Sequence, residues 1–93
     1  MKFTVTIEVE LFYSRYCRHC GASRADVRAV ARATPGVRFE ELDVLEHIER
    51  AASCGVLATP AVAINGTLVM AGALSLPRLR ALLDDARERQ NSE

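Results

Sequence analysis

The residues best suited to chemistry are two cysteines, Cys17 and Cys20, in the segment YCRHC. Such a pair can hold half of a metal site, form a structural disulfide or act as a redox couple. If a helix begins at or near Cys17, the two sulfurs are one turn apart. Neighbouring helix positions lie about 5–6 Å apart, within the Cα range of a disulfide. The spacing therefore lets the bond close with little backbone movement.

The two sulfurs are expected to have different environments. Cys17 would lie at the helix tip, where free backbone N–H groups and the helix dipole stabilise a thiolate. Cys20 falls on the inward stripe of the same helix, together with Val27. One sulfur would be offered to a partner and the other held behind it. A nucleophile and a resolving thiol require this asymmetry.

Two basic side chains, Arg18 and His19, lie between the cysteines. Nearby cations and a helix N-terminus lower a thiol pKa from about 8.5 to roughly 3.5–7.5. A stabilised thiolate favours the reduced form and moves the couple toward the oxidising end. We therefore predict that Arg18 and His19 tune the Cys17 thiolate and make the pair less reducing than one with neutral spacers.

Metal binding is the main alternative for the pair, with Cys54, His47 or His19 completing a zinc site. His19 lies inside the turn, where it can hardly share a metal with both neighbouring sulfurs, and the sequence has no second close cysteine pair. Redox chemistry is therefore favoured, and we expect no bound metal. Cys54 is interpreted as a buried small hydrophobe, with a regulatory or glutathionylated thiol as the alternative.

Length and charge narrow the class of protein. Ninety-three residues suffice for one small domain, 1–93, and are too few for two. Twelve basic side chains balance twelve acidic ones, so no net field would draw the chain to nucleic acid or anionic lipid. MKFTVTIEVE has glutamates where a signal peptide would be apolar, and no stretch has the length of a membrane span. We expect a cytoplasmic monomer. Because the cytoplasm is reducing, the three cysteines would not form a disulfide framework, and a close pair there favours catalysis or metal binding.

Hydrophobic periodicity predicts the elements that position the pair. The alternation in FTVTIEVELF predicts a strand with Val5, Ile7, Val9 and Leu11 on one face. The stripe that starts at Cys20 predicts a helix whose arginines face away; these are Arg24, Arg28 and Arg32. The segment YCRHC therefore lies where a strand gives way to a helix.

The remaining patterns complete an alternating order. VRFEELDV predicts a second strand, and LEHIERAAS predicts a short helix with Ile48, Ala51 and Ala52 inward. Asn65-Gly66 predicts a tight hairpin, and Ser75 a cap for a last helix. The order β-α-β-α-β-β-α predicts an α/β fold, a four-stranded mixed sheet with helices on both faces. Ligand chemistry in such sheets gathers at the carboxyl ends of strands, where helices begin.

YCRHC after a strand, LDV closing the next and GVLATPAVAINGTLVMAG together resemble the thioredoxin superfamily, above all its smallest members, the glutaredoxins and compact thioredoxin-like proteins. The match spans about Thr4 to Leu83. The resemblance implies that Pro60 has a cis peptide bond, which is nearly confined to proline, and lies against the cysteines. It also implies that Thr59 docks an extended substrate through its backbone.

Further candidate site residues follow from the resemblance. Gly72, in Ala71-Gly72, half matches the Gly-Gly pair that glutaredoxins have near bound glutathione, and Arg15 could assist a glutathione carboxylate. Tyr16 and Tyr13 are candidates for the substrate groove, or only pack beside it. Leu11 occupies the place of the buried aspartate of thioredoxins, and the adjacent Glu10 should point to the other face.

The function implied is a thiol–disulfide oxidoreductase that reduces or exchanges protein disulfides. Cys17 and Cys20 are its catalytic residues, no cofactor is bound, and a reductase or glutathione as co-substrate restores the dithiol. Arg18-His19 differs from the glycine-proline spacer of thioredoxins and the proline-tyrosine spacer of glutaredoxins. Two alternatives stay open: a glutathione-dependent carrier or iron–sulfur binder, and a non-catalytic interaction module.

Overall fold

The computed structural model describes residues 6–18 and 20–91. Val5 and His19, both named above, lie outside the described residues. The elements follow the predicted order: β1 Ile7–Tyr13, α1 Cys20–Ala33, β2 Val37–Asp43, α2 Ile48–Cys54, β3 Ala61–Ile64, β4 Thr67–Ala71 and α3 Leu76–Asn91. Within the described ranges, no helix combines the length and apolar character needed to cross a membrane.

The four strands form one mixed sheet in the order β2-β1-β3-β4. Strand β1 runs parallel to β2, from Ile7 opposite Val37 to Tyr13 opposite Asp43. It runs antiparallel to β3, which pairs antiparallel with β4. Because β1 and β3 are central, β3 is buried along its whole length. The predicted fold class is confirmed.

Side chains alternate along β1 and divide the core into two layers. Ile7, Val9 and Leu11 face the layer that contains α1 and α3. That layer also holds Val27 and Val30 of α1 and Leu79 and Leu83 of α3. Phe12 faces the opposite layer, formed with Ala51 and Cys54 of α2 and with Leu42, Ala61 and Ala63 of the sheet. The helices therefore cover both faces of the sheet.

The hairpin between β3 and β4 forms at the predicted position. Asn65 and Gly66 have φ angles of 51° and 84°, and a type I′ turn requires positive φ at both central positions. The side-chain carbonyl oxygen of Asn65 accepts the Glu8 N–H at 2.9 Å. Asn65 thus tolerates the backbone geometry and also fastens the hairpin tip to β1.

The inward face predicted for the second helix is partly wrong. Helix α2 begins at Ile48, whose side chain is 63% exposed, and Ala52 is also exposed. Ala51 and Cys54, three residues apart, form the buried stripe. A seven-residue helix has two turns, so its inward face holds few positions and its period is hard to recognise from sequence.

Candidate active site

The two cysteines of YCRHC form a disulfide, with Cα atoms 5.5 Å apart. After β1 ends at Tyr13, a short turn delivers Cys17 to this position. The Cys17 N–H donates to the Ser14 carbonyl at 3.0 Å, and the Tyr16 N–H donates to Ser14 Oγ at 3.1 Å. The separation agrees with the spacing expected of a pair that closes with little backbone movement.

Helix α1 is described over Cys20–Ala33, which starts three residues after Cys17 and near the expected position. Ser14 to Cys17 close a turn of their own before it. The Cys20 N–H donates to the Cys17 carbonyl at 3.5 Å, a long contact. Cys17 therefore lies just before the described part of α1, and Cys20 lies inside the helix.

The predicted difference between the two sulfurs is present. Cys20 is 3% exposed and lies on the inward side of α1 with Val27, Val30 and Ala31. Cys17 is only half-buried. Cys17 is therefore the more accessible cysteine of the pair.

The segment before β3 lies against the disulfide. Thr59-Pro60 is a cis peptide bond and Pro60 is fully buried, as the resemblance implied. Sγ of Cys17 lies 3.7 Å from the Thr59 carbonyl oxygen. The Gly72 N–H donates to the Pro60 carbonyl at 2.8 Å, and Gly72 has a φ of 81°, which favours glycine. The loops before β3 and after β4 therefore meet beside the cysteines.

An uncharged groove of about 330 Å³ borders Thr59. It is lined by Ser14, Val44, Ala51, Val56, Leu57, Ala58 and Thr59. Two large side chains near it face solvent: Leu57 is 98% exposed and Tyr16 is 80% exposed. Exposed apolar side chains at this edge provide a surface that another protein chain could cover.

Arg15 is held by acidic side chains of the β2 end. Its guanidinium lies 3.3 Å from Asp43 and 3.7 Å from Glu46. Asp43 is buried and also accepts the Leu45 N–H at 2.8 Å. That backbone bond, with the Arg15 guanidinium, lowers the pKa of Asp43. The guanidinium suggested for a glutathione carboxylate is thus engaged within the chain, where it fastens the Cys17 loop to β2.

Two of the three α1 arginines do not simply face away. Arg24 binds Glu41 of β2 at 2.8 Å, and Arg28 binds the same carboxylate at 2.7 and 2.8 Å. The guanidinium of Arg24 also lies 3.9 Å from the centre of the Tyr13 ring. The bond from Arg28, reinforced by Arg24, lowers the pKa of Glu41 to about 2. Tyr13 therefore packs against α1, and only Arg32 is exposed as expected.

An ion pair on the other face of the sheet was not anticipated. Glu10 of β1 is buried and accepts two hydrogen bonds from Arg50 of α2, at 2.6 and 2.8 Å. The carboxylate raises the pKa of Arg50. Glu10 points away from buried Leu11, as expected. Glu10, a charged residue inside an apolar strand, was the sequence signal for a buried ion pair. Its partner could not be recognised, because it is 40 positions away.

The other candidate side chains lie in different places. Cys54 is a buried free cysteine in the α2 layer, and His47 is exposed at the α2 N-terminus. In residues 6–18 and 20–91, no three His, Cys, Asp or Glu side chains group as metal ligands would. Arg18 is exposed and forms no ion pair with any described residue.

The fold and the disulfide at its strand–helix junction define a class of α/β redox proteins. A family model for the thioredoxin domain matches residues 5–84. The thioredoxin of Methanocaldococcus jannaschii is 34% identical over 84 residues, covering 89% of this chain and 95% of that protein. A probable thioredoxin of Methanothermobacter thermautotrophicus is 30% identical and covers 90% of this chain and 100% of its own length.

Solved structures show the same architecture. Thioredoxin 1 of Thermosipho africanus superposes with a TM-score of 0.76 at 22% identity, covering 90% of this chain and 98% of that one. Oxidised mitochondrial thioredoxin 3 of Saccharomyces cerevisiae gives 0.70 at 27% identity, covering 87% and 79%. The chain belongs to the thioredoxin family, and its Cys17–Cys20 pair makes it a thiol–disulfide oxidoreductase.

Proposed function

We propose that the protein reduces disulfides of other proteins, with Cys17 as nucleophile and Cys20 as resolving thiol. The Cys17 thiolate attacks a substrate disulfide, whose S–S bond breaks as the Cys17 mixed disulfide forms and one substrate thiolate leaves. Cys20 then attacks the Cys17 sulfur and releases the second substrate thiolate. Two electrons pass to the substrate, and the protein keeps its internal disulfide.

The observation that supports this assignment is the unequal exposure of the two cysteines. A substrate disulfide can approach half-buried Cys17 but not Cys20, which is 3% exposed. Cys20 is already within bonding distance of Cys17, so it can resolve the mixed disulfide without a large rearrangement. In this arrangement the buried thiol acts only after the exposed one has reacted.

Substrate docking is assigned to the loops beside the pair. The Thr59 carbonyl, next to Cys17 Sγ, is a candidate acceptor for a backbone N–H of an extended substrate segment. Pro60 and Gly72 hold this loop in place through the bond between their backbones. Exposed Tyr16 and Leu57 would cover apolar parts of the substrate.

Arg18 and His19 are proposed to stabilise the Cys17 thiolate, and so to make the couple less reducing than one with neutral spacers. We further propose that the protein acts as a cytoplasmic monomer without a bound cofactor. A reductase or glutathione would restore the dithiol. Equilibration with glutathione buffers, followed by thiol trapping, measures the potential. A value near about −270 mV would contradict the role given to the spacer.

Cysteine variants test the mechanism. Cys17→Ser should abolish reduction of insulin disulfides, because no sulfur remains for the first attack. Cys20→Ser should accumulate mixed disulfides that dithiothreitol releases. Cys54→Ala is the matched control and should keep the wild-type rate, since Cys54 lies in the other layer of the core. An unchanged rate in Cys17→Ser would overturn the proposal.

A further inference from the structure

We propose that Arg18 makes the site favour disulfides that carry a carboxylate next to the reacting cysteine. The inference rests on the proposed function, because it assumes that Cys17 attacks the substrate. It concerns the class of substrate that reacts fastest.

The charges around the disulfide support this preference. Residues 55–60 and 71–75, which flank the pair, contain no charged side chain. In residues 14–18 the charged side chains are Arg15 and Arg18. Arg15 faces Asp43 and Glu46 at the β2 end, so its charge is compensated. Arg18 is exposed, and no described acidic side chain compensates it.

The neighbouring elements do not cancel this positive charge. The first turn of α1 contains no acidic residue. Arg24, in the next turn, is bound to Glu41. Glu46 is exposed, but it lies 3.7 Å from Arg15 on the β2 side of the site. The side of Cys17 that carries Arg18 therefore has an uncompensated positive charge, whereas the charges of Arg15 and Glu46 at the other side are paired.

A substrate joined to Cys17 by a mixed disulfide is expected to come close to Arg18. A mixed disulfide brings the Cα atoms of its two cysteines to about 4.4–6.8 Å. Arg18 follows Cys17 directly, and a residue next to the substrate cysteine lies at a similar distance from the bond. The planar guanidinium can bind a carboxylate there with two parallel hydrogen bonds. Attraction before the bond forms also raises the encounter rate.

Two blocked cystine peptides that differ only in glutamate or glutamine beside the cysteine test this inference. The protein is first reduced with dithiothreitol and desalted, and the second-order rate constant for each peptide is measured by quenched flow. The glutamate-to-glutamine rate ratio isolates recognition of the carboxylate, because any change in Cys17 thiolate reactivity affects both peptides alike. Intrinsic differences between the peptides cancel when variants are compared.

Arg18→Gln should lower the rate ratio about two- to fivefold at low salt, the effect of an exposed ion pair. Arg18→Lys should retain most of the wild-type preference for the glutamate peptide. Salt at 1 M should weaken that preference in the wild type, since the Debye length is then about 3 Å. Arg32→Gln, which removes an exposed arginine from the last turn of α1, is the matched control and should leave the ratio unchanged.

Failure of this inference differs from failure of the proposed function. If both peptides react through Cys17 but Arg18→Gln leaves their ratio as in the wild type, the substrate preference is wrong and the mechanism stands. If neither peptide reacts, or if Cys17→Ser reacts as fast as the wild type, the mechanism is wrong and the preference falls with it.

Discussion

The three cysteine side chains differ in how accessible they are to water and to reagents. Cys17 is half-buried, whereas Cys20 and Cys54 are nearly inaccessible. Cys20 is held in the disulfide, so Cys54 is the free thiol of the oxidised protein. It is 7% exposed and packs with Phe12 and Leu42 in the α2 layer. Its reactivity should therefore depend on opening of the structure.

We predict that iodoacetamide labels Cys54 of the oxidised protein at least about a hundredfold more slowly than in the urea-unfolded chain, because labelling requires local opening. Mass spectrometry of the labelled protein over time measures both rates. Cys54→Ala should show no labelling in either state while the disulfide is intact. Comparable rates in the two states would contradict the burial of Cys54 in solution.

Helix α3 is amphipathic, and its apolar side packs against the core. Leu79 and Leu83 are fully buried against α1 and β1, and Leu76, Leu82 and Ala86 pack beside them. Ser75 caps the helix, since its hydroxyl accepts the Arg78 N–H at 3.3 Å. The cap was predicted from the sequence, because it depends on residues within a few positions of one another.

Leu83→Ala should lower the free energy of unfolding by about 2–5 kcal/mol, because it removes a fully buried side chain from the main core layer and leaves a cavity. Urea unfolding followed by circular dichroism measures the change. Leu57→Ala deletes the same atoms from a side chain that is 98% exposed, and should change the unfolding free energy by less than about 0.5 kcal/mol. Equal losses in the two variants would refute the assignment of Leu83 to the core.

Contacts between elements mark the limit of sequence-based prediction. The strand–helix junction, the hairpin and the Thr59-Pro60 segment follow from local patterns and motifs, and the structure has them. The pairing of Glu41 with Arg24 and Arg28 depends on which residues of β2 pack beside α1. The Glu10–Arg50 pair likewise joins positions 40 residues apart. Neither partner indicates the other until the sheet order is known.

At the scale of the whole molecule, lowering the pH should reveal how much the ion pairs of Glu41 with Arg24 and Arg28 contribute to the free energy of unfolding. The Glu41 carboxyl has a pKa of about 2 in the folded protein, below the ordinary value of 4.5. A depressed folded pKa adds stability above about pH 4.5, and this is lost as the pH falls toward 2. Because both arginines are about one-third exposed, solvent screening limits the contribution to about 1–2 kcal/mol.

Glu41→Gln should therefore reduce stability at pH 7 and flatten its decline between about pH 4.5 and 2. Urea midpoints measured at several pH values provide the comparison. Glu40→Gln, an exposed neighbour on the same strand, is the matched control and should follow the wild-type curve. A Glu41→Gln curve parallel to the wild type across this range would show that the ion pairs do not hold the carboxyl ionised.

The burial of Cys20 behind Cys17 also has a kinetic consequence. Because Cys17 is the accessible cysteine, the reductant that restores the dithiol and the disulfide substrate must react at the same residue, one after the other. Turnover should then follow double-displacement kinetics, with parallel double-reciprocal plots. An excess of either the reductant or the disulfide substrate should slow the reaction of the other.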